Sequence, residues 1–570
     1  MLKGYILGIS CGYHDSAACL LKDGTIIGAC EEERFTGIKH DASFPHKTLE
    51  WLFERFNITK EDIDVITFYE TPDLKLDRIE KSTKRGGLVN YFNRRKIIDR
   101  NNKNYNNLIS DLNLYKGKNT VIDFSLHHDS HLAYSYYTSP FESSAVISVD
   151  GVGEWETTSL GYYVDNKKIS YESIKFPHSL GMFYSVFTAF LGFKPNEGEY
   201  KVMGLAPYGN SSKYINKFDD IVLKNGDGFE LNMKYFTFDW SDTHMFNKNL
   251  GIYLGLENRL PEDTLTQDHK DLAAAVQEIY EKYFFKLLDK LYELTKNENL
   301  CLGGGCAYNG TANGKIKEKT KFKNIWIPPA PSDSGSAIGC ALKYFYEKTD
   351  ISTKRIDNTN AFLGPDYSKT DIESKLKEYS DYVYYEWAPI DFIIPKTAEL
   401  IKEGNIIGWF QGRMEFGARA LGNRSILANP RDPQMKSRLN MVIKKREGFR
   451  PFAPICIEED LQEYFEYDSN IPYMNQVVKV KEEYRNELPA ITHVDGSARV
   501  QTLGLFRTRF IYNLLKELKR INKYPIVVNT SFNLKDQTMV LTPEDAIKTF
   551  LNCEMDVLIL GNFIVKKSIF

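Results

Sequence analysis

The sequence predicts an α/β protein of two large modules, the first of them internally duplicated. Three observations carry that prediction. The length of 570 residues is several times the roughly 150 of a typical domain. A strand–loop–strand–turn–strand layout opens the chain and recurs about 140 residues later. Around residues 345–395 the sequence turns short-patterned and polar, ahead of a new apolar strand and a basic segment. With 42% hydrophobic and 26% charged residues, the composition is globular and excludes a disordered or fibrous chain.

Tyr5–Ser10, Ser16–Lys22 and Thr25–Cys30 read as strands, with Asp23-Gly24 as a hairpin turn because both turn residues tolerate positive φ. The repeat runs Ala145–Asp150, Gly151-Val-Gly153, Leu160–Val164, an Asp165-Asn166 turn, then Ile169–Ser173. Two tandem strand-initiated glycine loops match the layout of the actin-like, sugar-kinase-like ATPase fold, where they face nucleotide phosphates. Two ordinary hairpins are the plainer alternative, and a fold does not itself give a function. A helix over Asp268–Leu294 presents an apolar stripe at positions 272, 276, 279, 283, 287 and 291, a core-facing pattern. Next, Asn299–Gly303 reads as a strand running into Gly304, Gly305 and a helix near Asn309. Backbone N–H groups there can meet an anion or a nucleotide. The expected domains are residues 1–350, a connecting region 351–395 carrying Gly364-Pro365 and Ala388-Pro389, and 396–570 beginning near a strand at Asn405–Phe410.

No apolar run approaches the roughly 18 residues of a membrane span. The eight cysteines contain no C-x-x-C pair and read as reduced, mostly buried thiols. The expectation is a soluble, cytoplasmic chain. Net charge is -3, but residues 413–450 carry +7 and the remainder -10. In that basic segment Gly412, Gly417 and Gly422 interrupt the arginines and aromatic residues are few. This suits a compact phosphate-like ligand better than a nucleic-acid groove, with a solvated basic face as the alternative.

Three histidines, His127, His128 and His131, fall within five residues. On a helix His127 and His131 share one face, close enough to hold one metal ion. Asp150 at a strand end, and Asp333 in a tight Pro331–Gly335 loop before a small-residue helix, add carboxylates. Such a set suits Fe(II) or another first-row divalent metal such as manganese, and zinc fits the ligand types as well. His14, isolated in a loop of small residues, is either a base for a substrate hydroxyl or a cap on local backbone.

Taken together, several stretches resemble the NodU/CmcH carbamoyltransferase family, whose members modify hydroxyls of antibiotics, toxins and nodulation-factor sugars. They are Cys11-Gly-Tyr-His14-Asp-Ser-Ala-Ala-Cys, Glu32-Glu-Arg-Phe, Lys39-His-Asp41, His127-His-Asp-Ser-His131, Glu199-Tyr-Lys201-Val-Met-Gly-Leu-Ala-Pro, Gly412–Ser425, Lys444–Pro454 and Asn529-Thr-Ser-Phe-Asn533. The resemblance implies an actin-like N-terminal module and a YrdC-like α/β C-terminal module. It implies that the C-terminal module forms carbamoyl-AMP from carbamoyl phosphate and ATP, the ATP carrying magnesium. The N-terminal module would then transfer the carbamoyl group to a hydroxyl of a sugar or secondary metabolite. By motif, His127, His131 and Asp333 would bind the metal, Asp150 would serve metal and nucleotide, and His14 would be the base. Lys39, Gly304, Gly305, Asn309, Lys444 and Ser531 would contact nucleotide, and Arg419, Arg450, Arg499 and Asn529 carbamoyl phosphate. Ala418 stands where the family commonly has proline, which puts the stiffness of that loop in question. Neither nucleic acid nor membrane is expected as a partner. Two other readings stay open: a tRNA-modifying carbamoyl-type transferase and a non-catalytic nucleotide-binding regulator.

Overall fold

A computed structural model describes residues 4–86, 91–226, 228–349, 355–445, 450, 452–505 and 508–568. The chain divides into two compact units, Met1–Ile27 with Ala42–Thr359, and Gly28–Asp41 with Asn360–Phe570.

The first unit contains two five-stranded sheets of the same topology. In one, Tyr5–Ser10 pairs antiparallel with Ala17–Lys22 and parallel with Ile63–Phe68, and Thr25–Glu31 and Val121–Phe124 form the edges. In the other, Ser144–Val149 pairs antiparallel with Glu156–Val164 and parallel with Asn299–Gly303, flanked by Lys167–Lys175 and Asn324–Trp326. The expected duplication is therefore present in the strand order. Both hairpin turns use left-handed backbone, at Asp23 (φ 51°) with Gly24, and at Asp165 and Asn166 (φ 51° and 58°). The long helix spans Gln267–Thr295 and buries Leu272, Val276, Ile279, Tyr283, Leu287 and Leu291, the whole expected stripe.

Two further helices, His127–Tyr137 and Asp333–Lys348, pack closely. At Gly339 a Cβ would lie 1.9 Å from the Ser130 carbonyl oxygen, so only glycine permits this approach. The second helix begins at Asp333 itself, where the sequence suggested a loop. Pro331 and Ser332 end the loop one turn earlier than the small-residue pattern implied.

In the second unit an eight-stranded mixed sheet runs in the order Val383–Trp387, Phe563–Lys567, Val557–Leu560, Ile407–Phe410, Arg424–Ala428, Ile526–Ser531, Ala453–Ile457, Gln501–Leu503. Within the stretch expected as a connection, residues 369–378, 383–387 and 390–402 are helix, strand and helix of this unit. Residues 351–354 lie outside the described residues. Polar faces hid a buried side in that stretch, formed by Ile372, Leu376, Val383, Ile393 and Ile394. A second difference is the segment Gly28–Asp41, which leaves the first unit in sequence and folds with the second. All eight cysteines are free thiols, seven of them buried. Among the described residues no helix is long and apolar enough to cross a membrane.

Candidate metal centre and candidate anion loop

In the first unit His127 and His131 open one helix, Asp150 follows the strand Ser144–Val149, and Asp333 opens another helix. Their ligand atoms all lie within 4.8 Å of one another, and all four residues are buried. His127 Nε2 stands 2.9 Å from Asp150 Oδ2, 3.0 Å from His131 Nε2 and 3.5 Å from Asp333 Oδ1. His131 Nε2 is 3.5 Å from Asp150 and 3.6 Å from Asp333. Two imidazole nitrogens and two carboxylate oxygens turned to one point form a donor set that fits a first-row divalent cation. The outer nitrogen of His131 meets Ser336 Oγ at 3.0 Å, and that of His127 faces Glu70 Oε2 at 3.8 Å. Such outer partners orient ligating imidazoles. Burial opposes charge on His127, but Asp333, Asp150 and Glu70 outweigh it and hold its pKa well above the ordinary value. Burial likewise opposes the Asp150 carboxylate, and the His127 and His131 bonds hold it well below the usual range. The third histidine, His128, is excluded from the cluster. Its ring nitrogens have no hydrogen-bond partner among the described residues, and burial drives its pKa well down.

His14 joins this centre. Its Nδ1 meets Asp15 Oδ2 at 2.9 Å, and its Nε2 faces Asp333 Oδ2 at 3.9 Å. Burial opposes its charged form, yet Asp333 and Asp15 raise the pKa to about 9. The glycine turn reaches the centre too. Gly305 N–H donates to Asp150 Oδ1 at 2.9 Å, so that backbone donor orients a carboxylate in this structure. Gly304, at φ 85°, would bring a Cβ within 2.3 Å of the Val149 carbonyl, which requires glycine for packing alone. The helix expected after it is a 3-10 turn, Gly305–Tyr308, then the short helix Gly310–Gly314. Asn309 caps that helix through Ala312 N and pairs reciprocally with Gln277. Its side chain is thus committed within the fold. Lys39 is exposed on the 28–41 segment and belongs to the second unit.

In the second unit the Gly412–Ser425 loop is braced from within. Glu415 Oε1 accepts three backbone N–H groups, from Leu421, Asn423 and Arg424, at 2.7–3.0 Å. Glu31 Oε1 accepts Gly417 N–H at 2.6 Å, and Arg34 Nη2 donates to the Gly417 carbonyl at 3.0 Å. This double clamp stiffens the turn where Ala418 replaces proline. Arg424 is fully buried, donates to the carbonyls of Gln411, Gly412 and Pro365, and lies 3.6 Å from the Phe410 ring centroid. Burial lowers its pKa to about 10. This arginine supports the loop.

Asn529 Nδ2 donates to Ala420 O at 2.9 Å and Gln501 Oε1 at 3.2 Å, and Gln501 Nε2 donates to Leu421 O. The Asn529 Oδ1 is buried without a hydrogen-bond partner among the described residues. Lys444 Nζ reaches Ser531 O at 2.5 Å, Asn533 O at 2.9 Å and Asn533 Oδ1 at 2.8 Å. The strand Ile526–Ser531 therefore carries both Asn529, bonded to the turn that bears Arg419, and Ser531, bonded to Lys444. Arg499 ends the strand Ser497–Arg499, two residues before Gln501, and the Arg450 carbonyl accepts from Asn440 at 3.1 Å. Arg419, Arg450 and Arg499 are each half-buried. Residues 446–449 and 451 of the expected motif lie outside the described residues.

The sequence reading passed over Asp15, Glu70, Glu31, Glu415, Arg424 and Gln501. Asp15, Glu415 and Arg424 lie inside the motifs that carry the resemblance, Glu31 and Gln501 lie close to its residues, and Glu70 has no signal, because a carboxylate that braces backbone has no spacing signature.

Residues 5–342 match the family model described as carbamoyltransferase N-terminus, and residues 398–567 that described as carbamoyltransferase C-terminus. An uncharacterized protein of Synechocystis sp. is 41% identical, covering 99% of this chain and 97% of its own length. The nodulation protein NolNO of Sinorhizobium fredii is 35% identical, covering 97% of this chain and 79% of its own. The solved structure of T.kodakarensis HypF aligns over 60% of this chain and 48% of its own, at 11% identity and a TM-score of 0.31, too distant a likeness to carry an argument.

Proposed function

The chain belongs to the carbamoyltransferase family, and from that premise we propose that it is an ATP-dependent O-carbamoyltransferase working at two sites. The observation that carries the reading is the coexistence of two unlike polar centres: a convergent His127–His131–Asp150–Asp333 donor set and a braced, arginine-bearing anion loop.

In the second unit, which we read as YrdC-like, Arg419, Arg450 and Arg499 hold the phosphate of carbamoyl phosphate. Asn529 offers its unpartnered Oδ1 to the carbamoyl NH2, a donor the acceptor atom fits, while Lys444 and Ser531 serve ATP. Carbamoyl phosphate is hydrolysed to carbamate and phosphate. Carbamate oxygen then attacks the α-phosphorus of magnesium-bound ATP, giving carbamoyl-AMP and pyrophosphate.

In the first unit, which we read as actin-like, the duplicated sheets carry the transfer site. When bound, a divalent cation such as Fe(II) supplies Lewis-acid stabilisation of charge developing on the leaving phosphate. His127, His131, Asp150 and Asp333 would hold it. Asp15 fixes the His14 tautomer through Nδ1, leaving Nε2 to take the proton from the acceptor hydroxyl. A bound cation would engage Asp333 and would offset the field that raises His14. The hydroxyl oxygen bonds to the carbamoyl carbon, the bond from that carbon to the phosphate oxygen breaks, and AMP leaves. A sugar or secondary-metabolite hydroxyl is the acceptor class.

The test is incubation of the purified chain with carbamoyl phosphate and ATP, without acceptor. Carbamoyl-adenylate detected by mass spectrometry, with release of phosphate and pyrophosphate, is the expected result. ATP-independent phosphate release with no adenylate would overturn the reading.

A further inference from the structure

The helix Pro72–Ser82 carries Lys75, Arg78 and Lys81 at intervals of three, on one side of the first unit. The two lysines have carboxylate partners: Lys75 binds Glu70 at 2.7 Å and Lys81 binds Asp77 at 2.8 Å. Arg78 between them is 9% exposed, and its Nε is buried without a hydrogen-bond partner among the described residues. Its guanidinium carbon lies over the ring of Phe176, 5.2 Å from the centroid.

The nearby acids are spoken for. Glu70 is taken by Lys75, and Glu154 accepts the backbone N–H groups of Thr71 and His127 at 2.7 and 3.0 Å. Among the described residues neither carboxylate forms an ion pair with Arg78. A buried guanidinium with an unpartnered N–H is costly unless an anion completes it. Its neighbours define where that anion sits. At the start of the Arg78 helix, Glu154 accepts the N–H groups of both Thr71 and His127, and Glu70, paired with Lys75, faces His127 Nδ1 at 3.8 Å.

We propose that Arg78 binds an oxyanion, phosphate or carboxylate, that a substrate carries to the metal centre. Under the two-site reading it belongs either to the phosphate of carbamoyl-adenylate or to an anionic group on the acceptor itself. The residue is then a binding group of the transfer site, with Phe176 as the wall against which the guanidinium lies.

The test uses the full chain carrying Arg450→Ala, which weakens the second anion site, and titrates inorganic phosphate and AMP separately by calorimetry. Phosphate affinity is expected to fall about tenfold or more with Arg78→Gln, to fall less with Arg78→Lys, and to stay unchanged with Lys81→Gln. AMP weakened in parallel assigns the oxyanion to the adenylate, and AMP unchanged beside weakened phosphate assigns it to the acceptor. Thermal unfolding separates a structural role: Tm of Arg78→Gln is expected at or above that of the parent, because a buried N–H donor without a partner is removed. Equal phosphate affinity in parent and Arg78→Gln, phosphate binding to neither, or a large fall in Tm without loss of affinity would each overturn the proposal. Failure of the two-step reading appears instead as absent carbamoyl-adenylate, and leaves these affinities standing.

Discussion

The metal centre and the arginine loop handle charge in opposite ways. At the first, two imidazoles and two carboxylates point their acceptor atoms at one another, an arrangement that a cation completes. At the second, the carboxylates of Glu31 and Glu415 are spent on backbone N–H groups of the loop itself. One site is finished by its ligand, and the other is shaped before its ligand arrives. Substitutions should therefore fail differently in the two units.

The largest effect is expected at the cation-completed site. His131→Ala should lower carbamoyl transfer by on the order of a hundredfold or more, with loss of bound metal measured by elemental analysis, while adenylate formation persists. Chelation of the wild type should mimic it and be reversed by added metal. Retained metal stoichiometry in His131→Ala would break the comparison. Next comes Lys444→Met, which strips the donor from Ser531 O and both Asn533 oxygens. A loss of about 2–3 kcal/mol in unfolding free energy, read by denaturant melts, should accompany loss of adenylate formation. Glu415→Gln replaces a charge-assisted acceptor of three N–H groups, so about 1–2 kcal/mol of stability should go. Smallest is Glu31→Gln. The Gly417 turn loosens, KM for carbamoyl phosphate should rise several-fold, corresponding to about 1 kcal/mol, and transfer from supplied carbamoyl-adenylate should not change. An altered transfer rate with unchanged KM would contradict the brace.

Much of the metal centre was legible in the sequence because helical geometry converts a spacing of four into one face. His127 and His131 needed only that rule. The duplication was legible because Asp23-Gly24 and Asp165-Asn166 punctuate identical strand patterns. By contrast, the clamp of Glu31 and Arg34 on Gly417 joins residues more than 380 apart, and no local period reports such a contact. The regular elements within the connecting region were hidden for a related reason. There the helix Lys369–Glu378 buries only Ile372 and Leu376 among Lys, Asp and Glu, so composition concealed it. Gly304 and Asn309 show a third case, where residues that suit a ligand are also fully explained by packing and capping.

The central claim is that activation and transfer occur at separate centres. Half-reaction assays on Arg450→Ala and His14→Asn test it most directly. The account predicts that Arg450→Ala loses carbamoyl-adenylate formation but transfers from supplied carbamoyl-adenylate, whereas His14→Asn forms the adenylate and fails to transfer. Loss of the same half-reaction in both variants would contradict it.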